Sequence, residues 1–262
     1  MERQARWQFR AGLPVERWSA KEVRRREPNV DGRVRRGFYF PTEAQVDNVQ
    51  LMRALAKACA KADVELRERT TVRRLLTGGQ AVQGVHTDRG DVRAPVVVNC
   101  LGSWASLQEL APVALPIEPV RGQMLAFQGQ RRLFRHILFS EQAYVVQRRD
   151  GRLIGGSTLE HVGFDKSLTV GGIHKIVSGL QHLSSALATC AFLEAWSGLR
   201  PYVKDKLPIV GATPISGLYV ATGHYRHGIL LAPITARLLA ELLLRGRASL
   251  DLTPFAPQRF LN

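Results

Sequence analysis

The sequence has little cysteine and no residue pattern that would hold a metal ion. Only three of its 262 residues are cysteine, and Cys59, Cys100 and Cys190 lie in apolar runs without CxxC spacing. An odd number of scattered cysteines argues against a disulfide framework and predicts buried free thiols in a reducing compartment. The seven histidines form neither HxxxH nor HExxH, so we expect no metal centre.

Long uncharged hydrophobic runs are also missing. The most apolar stretch, residues 228–244, contains Pro233, Arg237 and Glu241, whereas a membrane helix needs about 20 residues with few charges. The opening residues 1–6 are too charged for a signal peptide, and no apolar segment follows them. These absences predict a cytoplasmic protein with no membrane contact.

Acidic residues are scarce beside basic ones. The chain has 37 Lys and Arg against 22 Asp and Glu, for a net charge of +15, and residues 1–36 are especially basic. Arg24–Arg26 could contact phosphates or form the solvated face of a helix. No aromatic platform or nucleic-acid module accompanies them. The solvated face is therefore favoured and no nucleic-acid partner is expected, although a basic surface-binding protein stays an alternative hypothesis.

The periodicity of apolar residues predicts an α/β fold with two interleaved layers. One layer, residues 47–115 and 214–262, combines helices with continuous apolar strands at 96–101 and 217–222, which are typical of a parallel sheet. It also contains a helix capped by Asn48, with an apolar face of Leu51, Leu55, Cys59 and Ala62, then a strand at 64–66 and a hairpin of 71–77 with 81–87.

The second layer, residues 1–46 and 116–213, has an antiparallel and largely β pattern. A capping box at Ser19–Glu22 predicts a helix that ends near Glu27. A second helix has an apolar side from Val170 to Leu187. Strands are predicted at 37–41, 117–128, 133–139, 143–148, 152–157 and 192–199.

Three local patterns are candidates for function, and each also has a purely structural interpretation. The turn at 223–228 carries Arg226 and leads into a helix whose first N–H groups favour negative charge, as an electron-accepting ring would need. It could also be an ordinary loop between a strand and a helix, and the local residues alone favour that interpretation. Arg200, at the end of an apolar strand before Pro201, could clamp a carboxylate or lie on the surface. Tyr144 could line a pocket or belong to the core or its rim.

Five segments in one order give the sequence a specific resemblance. They are VVVNCLGSWAS, PIEPVRGQML, YVVQRRDGRLIGGSTLEHVGFD, WSGLRPYVKDKLPIVG and GLYVATGHYRHGILLAP. Together they resemble the FAD-dependent D-amino-acid-oxidase-like family, and within it the glycine oxidase branch of thiamine biosynthesis. The resemblance runs from about Gly12 to the end of the chain.

This resemblance implies an interleaved fold, with FAD on a Rossmann-like parallel layer and a small amino acid under the antiparallel layer. It implies that Arg200 binds the substrate carboxylate, with Tyr144 and Arg226 beside it. The cofactor-binding residues would be Val72 at the adenine end, Gly102 beside the dinucleotide, and a group around the flavin ring: His224, Tyr225, His227, Gly228, Ile229 and Leu230. The implied reaction oxidises the amine to an imine, with later formation of a keto acid and H₂O₂.

The printed sequence departs from the family pattern in having no GxGxxG motif. Members of the family open with a βαβ unit that carries it, so we expect the parallel layer to be incomplete and this chain alone to bind FAD weakly or not at all. Smaller departures are His227, where the family usually has Asn, and Gln147, where Pro is common.

Two functions therefore remain open beside the basic surface-binding protein. The chain could be a flavin amino-acid oxidase, or a truncated, non-catalytic remnant or partner subunit of one. Its partners would be a small amino acid, a second copy of itself, or a chain that supplies the missing segment.

Overall fold

A computed structural model of the chain describes residues 2–107, 109–110, 115–129 and 132–260. The helices are α1 Glu2–Arg10, α2 Ala20–Arg26, α3 Asn48–Lys61, α4 Val170–Leu183 and α5 Gly228–Arg245. The strands are β1 Glu16–Ser19, β2 Arg36–Tyr39, β3 Val72–Gly78, β4 Ala81–Thr87, β5 Gly90–Arg93, β6 Val97–Asn99, β7 Ile117–Gln128, β8 Leu138–Phe139, β9 Tyr144–Gln147, β10 Arg152–Gly156, β11 Ala191–Val203, β12 Ile209–Ala212 and β13 Leu218–Thr222.

The described residues form two compact units. Unit 1 comprises those within Met1–Leu51, Gly122–Glu160 and Lys166–Gly198. Unit 2 comprises those within Met52–Arg121, His161–Asp165 and Leu199–Asn262. The mixture of helices and sheets confirms the predicted α/β class, whereas the domain limits expected from the sequence stay predictions.

Unit 1 contains β8, β9 and β10 together with residues 122–128 of β7 and 191–198 of β11. The strand order of this sheet is β11-β7-β10-β9-β8, and β10 is antiparallel to both β7 and β9. Helix α4 packs on it closely, because a Cβ at Gly179 would lie 2.8 Å from the Cβ of Ala143, and one at Gly155 would lie 2.5 Å from Leu180. The buried core between them contains Leu125, Phe134, Val145, Leu153, Ile176, Leu180 and Leu183. Helix α4 is thus the helix that the apolar side from Val170 to Leu187 predicted, although it ends at Leu183.

The capping box at Ser19–Glu22 is confirmed. The Ser19 hydroxyl accepts from the Glu22 N–H at 3.3 Å, and the Glu22 carboxylate accepts from the Ser19 N–H at 2.8 Å. Helix α2 accordingly begins at Ala20, and its neighbours β1 and β2 form an antiparallel pair.

Unit 2 contains the predicted hairpin of β3 and β4, extended by β5, and a second sheet with the order β12-β13-β6. In that sheet β6 and β13 are parallel neighbours, with Val98 opposite Tyr219, as the apolar patterns predict. However, β12 is antiparallel to β13. Only a short turn at 213–217 joins these two strands, and such a connection permits only antiparallel pairing.

Several local expectations were wrong. Asn48 is the first residue of α3, and the cap is Asp47, whose carboxylate accepts from the N–H groups of Val49 and Gln50 at 3.1 Å each. The predicted apolar face of α3 is not buried, and residues 64–66 form no strand. Of the strand expected at 133–139, only β8 pairs. The three cysteines are free, but Cys100 is exposed.

None of the helices in the described ranges combines the length and apolar character of a bilayer crossing. Among the same residues, no three His, Cys, Asp or Glu side chains lie close enough together to hold a metal ion.

Candidate functional site

The parallel strands β6 and β13 end at one edge of their sheet, and a glycine turn follows each strand. Asn99, the buried last residue of β6, organises the first turn. Its amide donates to the carbonyls of Ala105 and Leu110 at 3.2 and 3.1 Å, and its oxygen accepts from the Leu101 N–H at 3.1 Å. Gly102 then takes a φ of +57°, with open space where a side chain would project.

The second turn, residues 223–228, is tied directly to the first. The Thr222 hydroxyl, at the end of β13, donates to the Gly102 carbonyl at 2.9 Å. Gly223 has a φ of +74°, and a Cβ there would lie 2.8 Å from the side chain of Val203 and 3.3 Å from Ile209. The structure therefore brings together Gly102 and the turn at 223–228, both of which the family resemblance assigns to cofactor binding.

The end of β11, where Arg200 lies, is adjacent to the second turn. The Tyr225 N–H donates to the Pro201 carbonyl at 3.1 Å, and Tyr225 itself has a φ of +49°. Because Pro201 directly follows Arg200, this hydrogen bond fixes the backbone of Arg200 next to the turn. Arg200 is half-buried and Arg226 is exposed.

Helix α5 begins immediately after this turn and directs its positive end toward the turn. The N–H groups of Gly228, Ile229 and Leu230 have no acceptor within the helix. Ile229 is 53% exposed and Leu230 is 77% exposed. Together with Arg226, two residues before the helix, these N–H groups favour a negative charge. Burial lowers the pKa of His224, whose Nε2 lies 3.0 Å from the Thr235 hydroxyl. His224 is therefore neutral near pH 7.

Val72 lies in the β3–β4 hairpin. It begins β3 and pairs with Thr87, at the open end of the hairpin. The opposite end of the hairpin is attached to the start of β13, because the Val82 N–H donates to the Ser216 carbonyl at 2.9 Å.

Tyr144 begins β9 in unit 1. Its hydroxyl donates to the sulfur of Met124 at 3.3 Å, and its ring stacks on Phe139 with centroids 6.3 Å apart. Since Tyr144 belongs to unit 1 and Arg200 and Arg226 belong to unit 2, their convergence on one pocket stays a prediction.

Sequence reasoning missed two residues that build this site. Asn99 is a polar residue in an otherwise apolar strand, and that exception to the pattern could have identified it. Thr222 gave no comparable signal, because a threonine is ordinary in a strand.

A family model described as "FAD dependent oxidoreductase", abbreviated DAO, matches residues 1–242. The chain belongs to the DAO family. Its fold resembles that of glycine oxidase from Geobacillus kaustophilus, with a TM-score of 0.92 and 31% identity, over 98% of this chain and 70% of that chain. The Rossmann-like FAD-binding layer and the substrate layer expected from the resemblance agree with this similarity.

Two curated relatives place the chain near the glycine oxidases within the DAO family. Glycine oxidase from Pseudomonas aeruginosa is 34% identical over 96% of this chain and 70% of its own length. The bifunctional protein ThiO/ThiG of Synechocystis sp. is 39% identical over 94% of this chain. The matched region spans 38% of the Synechocystis protein's length.

The contacts of Gly223 predict a specific cost for any side chain in the second turn. We expect Gly223→Ala to lower the free energy of unfolding by about 2–3 kcal/mol, because a left-handed φ and a close contact with Val203 both oppose a Cβ. Gly246→Ala is the matched control, since Gly246 has a φ of +70° with nothing within 4 Å. It should cost only about 1 kcal/mol. Urea unfolding measures both values, and equal losses would contradict the close packing.

Proposed function

We propose that the protein uses FAD to oxidise the amine of a small amino acid, such as glycine, sarcosine or a D-amino acid. The product would be an imine and then a keto acid, with formation of H₂O₂. The observation that carries this proposal is the hydrogen bond between Thr222 and Gly102. It joins two glycine turns at the carboxyl edge of β6 and β13, which is where α/β folds bind their ligands.

The residues present at this edge fit the flavin end of FAD. Gly102 leaves room for a group that any side chain would displace. The first N–H groups of α5 and the guanidinium of Arg226 favour the pyrimidine side of a flavin, which gains negative charge on reduction. The residues that would hold it are His224, Tyr225, His227, Gly228, Ile229 and Leu230, with Gly102 beside the dinucleotide and Val72 at the adenine end.

Arg200 is proposed to bind the substrate's carboxylate. A guanidinium presents two parallel N–H donors that match the two oxygens of a carboxylate. Its backbone is held next to the second turn through Pro201, so a carboxylate bound there would lie beside the proposed flavin position. Arg226, in the same unit, is proposed to complete this binding site, and Tyr144 stays a predicted substrate-binding residue of unit 1.

The chemistry that FAD supplies when bound is acceptance of a hydride from the substrate's Cα, followed by return of the electrons to O₂ to give H₂O₂. The residues of this chain provide the orientation. Arg200 fixes the carboxylate and thereby directs the Cα–H bond. Water then adds to the imine carbon, and the amine leaves as the carbonyl forms, as ammonia from glycine or a D-amino acid and as methylamine from sarcosine.

Adding FAD to the purified chain tests this proposal. Because the printed sequence has no GxGxxG motif, we expect the chain alone to bind FAD more weakly than micromolar, as measured by flavin fluorescence. Co-expression with a GxGxxG-containing fragment of a relative should restore tight binding and H₂O₂ production with a small amino acid.

Two other results would count against the proposal. Tight flavin binding with no turnover of glycine, sarcosine or D-alanine would favour a non-catalytic partner subunit. A failure to bind flavin even with the complementary fragment would contradict the cofactor assignment itself.

A further inference from the structure

Tyr202 packs against the second turn from the end of β11. Its ring centroid lies 5.1 Å from that of Tyr225, with the ring planes 70° apart. This edge-to-face arrangement is the one that aromatic pairs favour. The ring of His161 contacts Tyr202 in the same way, with centroids 5.8 Å apart and planes at 86°. The His161 Nδ1 is in turn hydrogen-bonded to the Glu118 carboxylate.

Tyr225 needs support because of its backbone conformation. Its φ of +49° is one that residues with a bulky side chain rarely adopt. The backbone supplies one restraint, the hydrogen bond from the Tyr225 N–H to the Pro201 carbonyl. Pro201 precedes Tyr202 directly and has a fixed φ, so the same short segment supplies both the hydrogen bond and the aromatic ring.

We propose that Tyr202 is a positioning residue for the turn at 223–228. Its ring, backed by His161, holds Tyr225 and so keeps Arg226 and the start of α5 in place. No hydrogen bond of the Tyr202 hydroxyl occurs among the described residues, so the ring provides the restraint. What the turn does for catalysis rests on the proposed function, whereas the restraint itself exists in the chain without flavin.

Hydrogen–deuterium exchange of the flavin-free chain tests this assignment. In Tyr202→Leu we expect the Tyr225 amide and its neighbours in the turn to exchange roughly tenfold faster, because an aromatic pair is lost. The β3–β4 hairpin of the same unit should exchange at an unchanged rate. Tyr202→Phe keeps the ring and should restore exchange in the turn to the wild-type rate.

A second variant keeps the test decisive if Tyr202→Leu does not fold. The His161 side chain is 50% exposed, so His161→Ala should fold normally and speed exchange at Tyr225 roughly two- to threefold. Wild-type exchange in both the Leu and Ala variants would overturn the proposal. So would a Phe variant as fast as Leu, or equal acceleration in the hairpin. These exchange rates are measured without flavin or substrate. A failure of the proposed oxidase function would instead appear in the flavin-binding and H₂O₂ measurements, so the two failures are distinguishable.

Discussion

Arg200→Leu, in the chain loaded with FAD together with a GxGxxG-containing fragment, is expected to weaken binding of a carboxylate roughly a thousandfold, because the bound anion would lose both its counter-charge and two hydrogen bonds. Arg200→Lys keeps the charge but cannot reproduce the two-pronged fit. We expect it to weaken binding roughly thirtyfold, so the two variants separate charge from geometry.

The measurement is a titration of the flavin absorbance with acetate, a carboxylate without an amine, followed by KM for sarcosine. Arg237→Leu is a matched control. Arg237 belongs to the same unit and lies on α5, where it is exposed and paired with Glu241 at 2.9 Å. That variant should bind acetate as the wild type does. Wild-type affinity in Arg200→Leu would remove Arg200 from the substrate site.

Features that depend on neighbouring residues in sequence could be predicted well. The capping box of α2, the β3–β4 hairpin and the long strand β7 follow from turn chemistry and apolar alternation. The parallel pairing of β6 with β13 was also predictable, because both are short apolar strands followed by glycine.

Hydrogen bonds in which a side chain accepts from backbone N–H groups could not be predicted in this way. Residues 133 and 134 form no strand because their N–H groups donate to the side-chain oxygen of Gln147, at 2.8 and 2.9 Å. The cap of α3 is Asp47 and not the predicted Asn48. Both residue types are good caps, so the sequence alone does not decide between them. A local sequence pattern does not show that a distant side chain will accept the backbone hydrogen bonds of a segment. Nor does it show which of two adjacent capping residues will cap a helix.

The candidate site shows the same division. The two glycine turns and Arg200 were recognisable as motifs, whereas the bond from Thr222 to Gly102 joins residues 120 positions apart. The ring contact between Tyr202 and Tyr225 likewise depends on how β11 meets the turn. The family resemblance suggested the site residues, but the tertiary structure reveals what holds the turn itself in position.

Among the residues of unit 1, we expect substitution of Glu27 to lower the free energy of unfolding the most. Its side chain is 3% exposed, and its Oε1 accepts from the N–H groups of Arg135 and His136 at 2.8 and 2.7 Å. The same oxygen contacts the His136 Nδ1 at 2.6 Å. The His136 ring packs edge-on against Trp18 and Tyr39. One buried carboxyl oxygen therefore anchors the segment at 135–136 to the C-terminal end of α2.

Glu27→Ala should lower the free energy of unfolding by about 3–5 kcal/mol, because it removes a buried carboxylate that is the acceptor of three donors. Glu27→Gln retains an acceptor oxygen and should cost about 1–2 kcal/mol. The exposed Glu43 belongs to the same unit, and Glu43→Ala should change stability by less than about 0.5 kcal/mol. Urea unfolding followed by tryptophan fluorescence measures all three variants. A Glu27→Ala variant as stable as Glu43→Ala would show that the 135–136 segment does not depend on this carboxyl group.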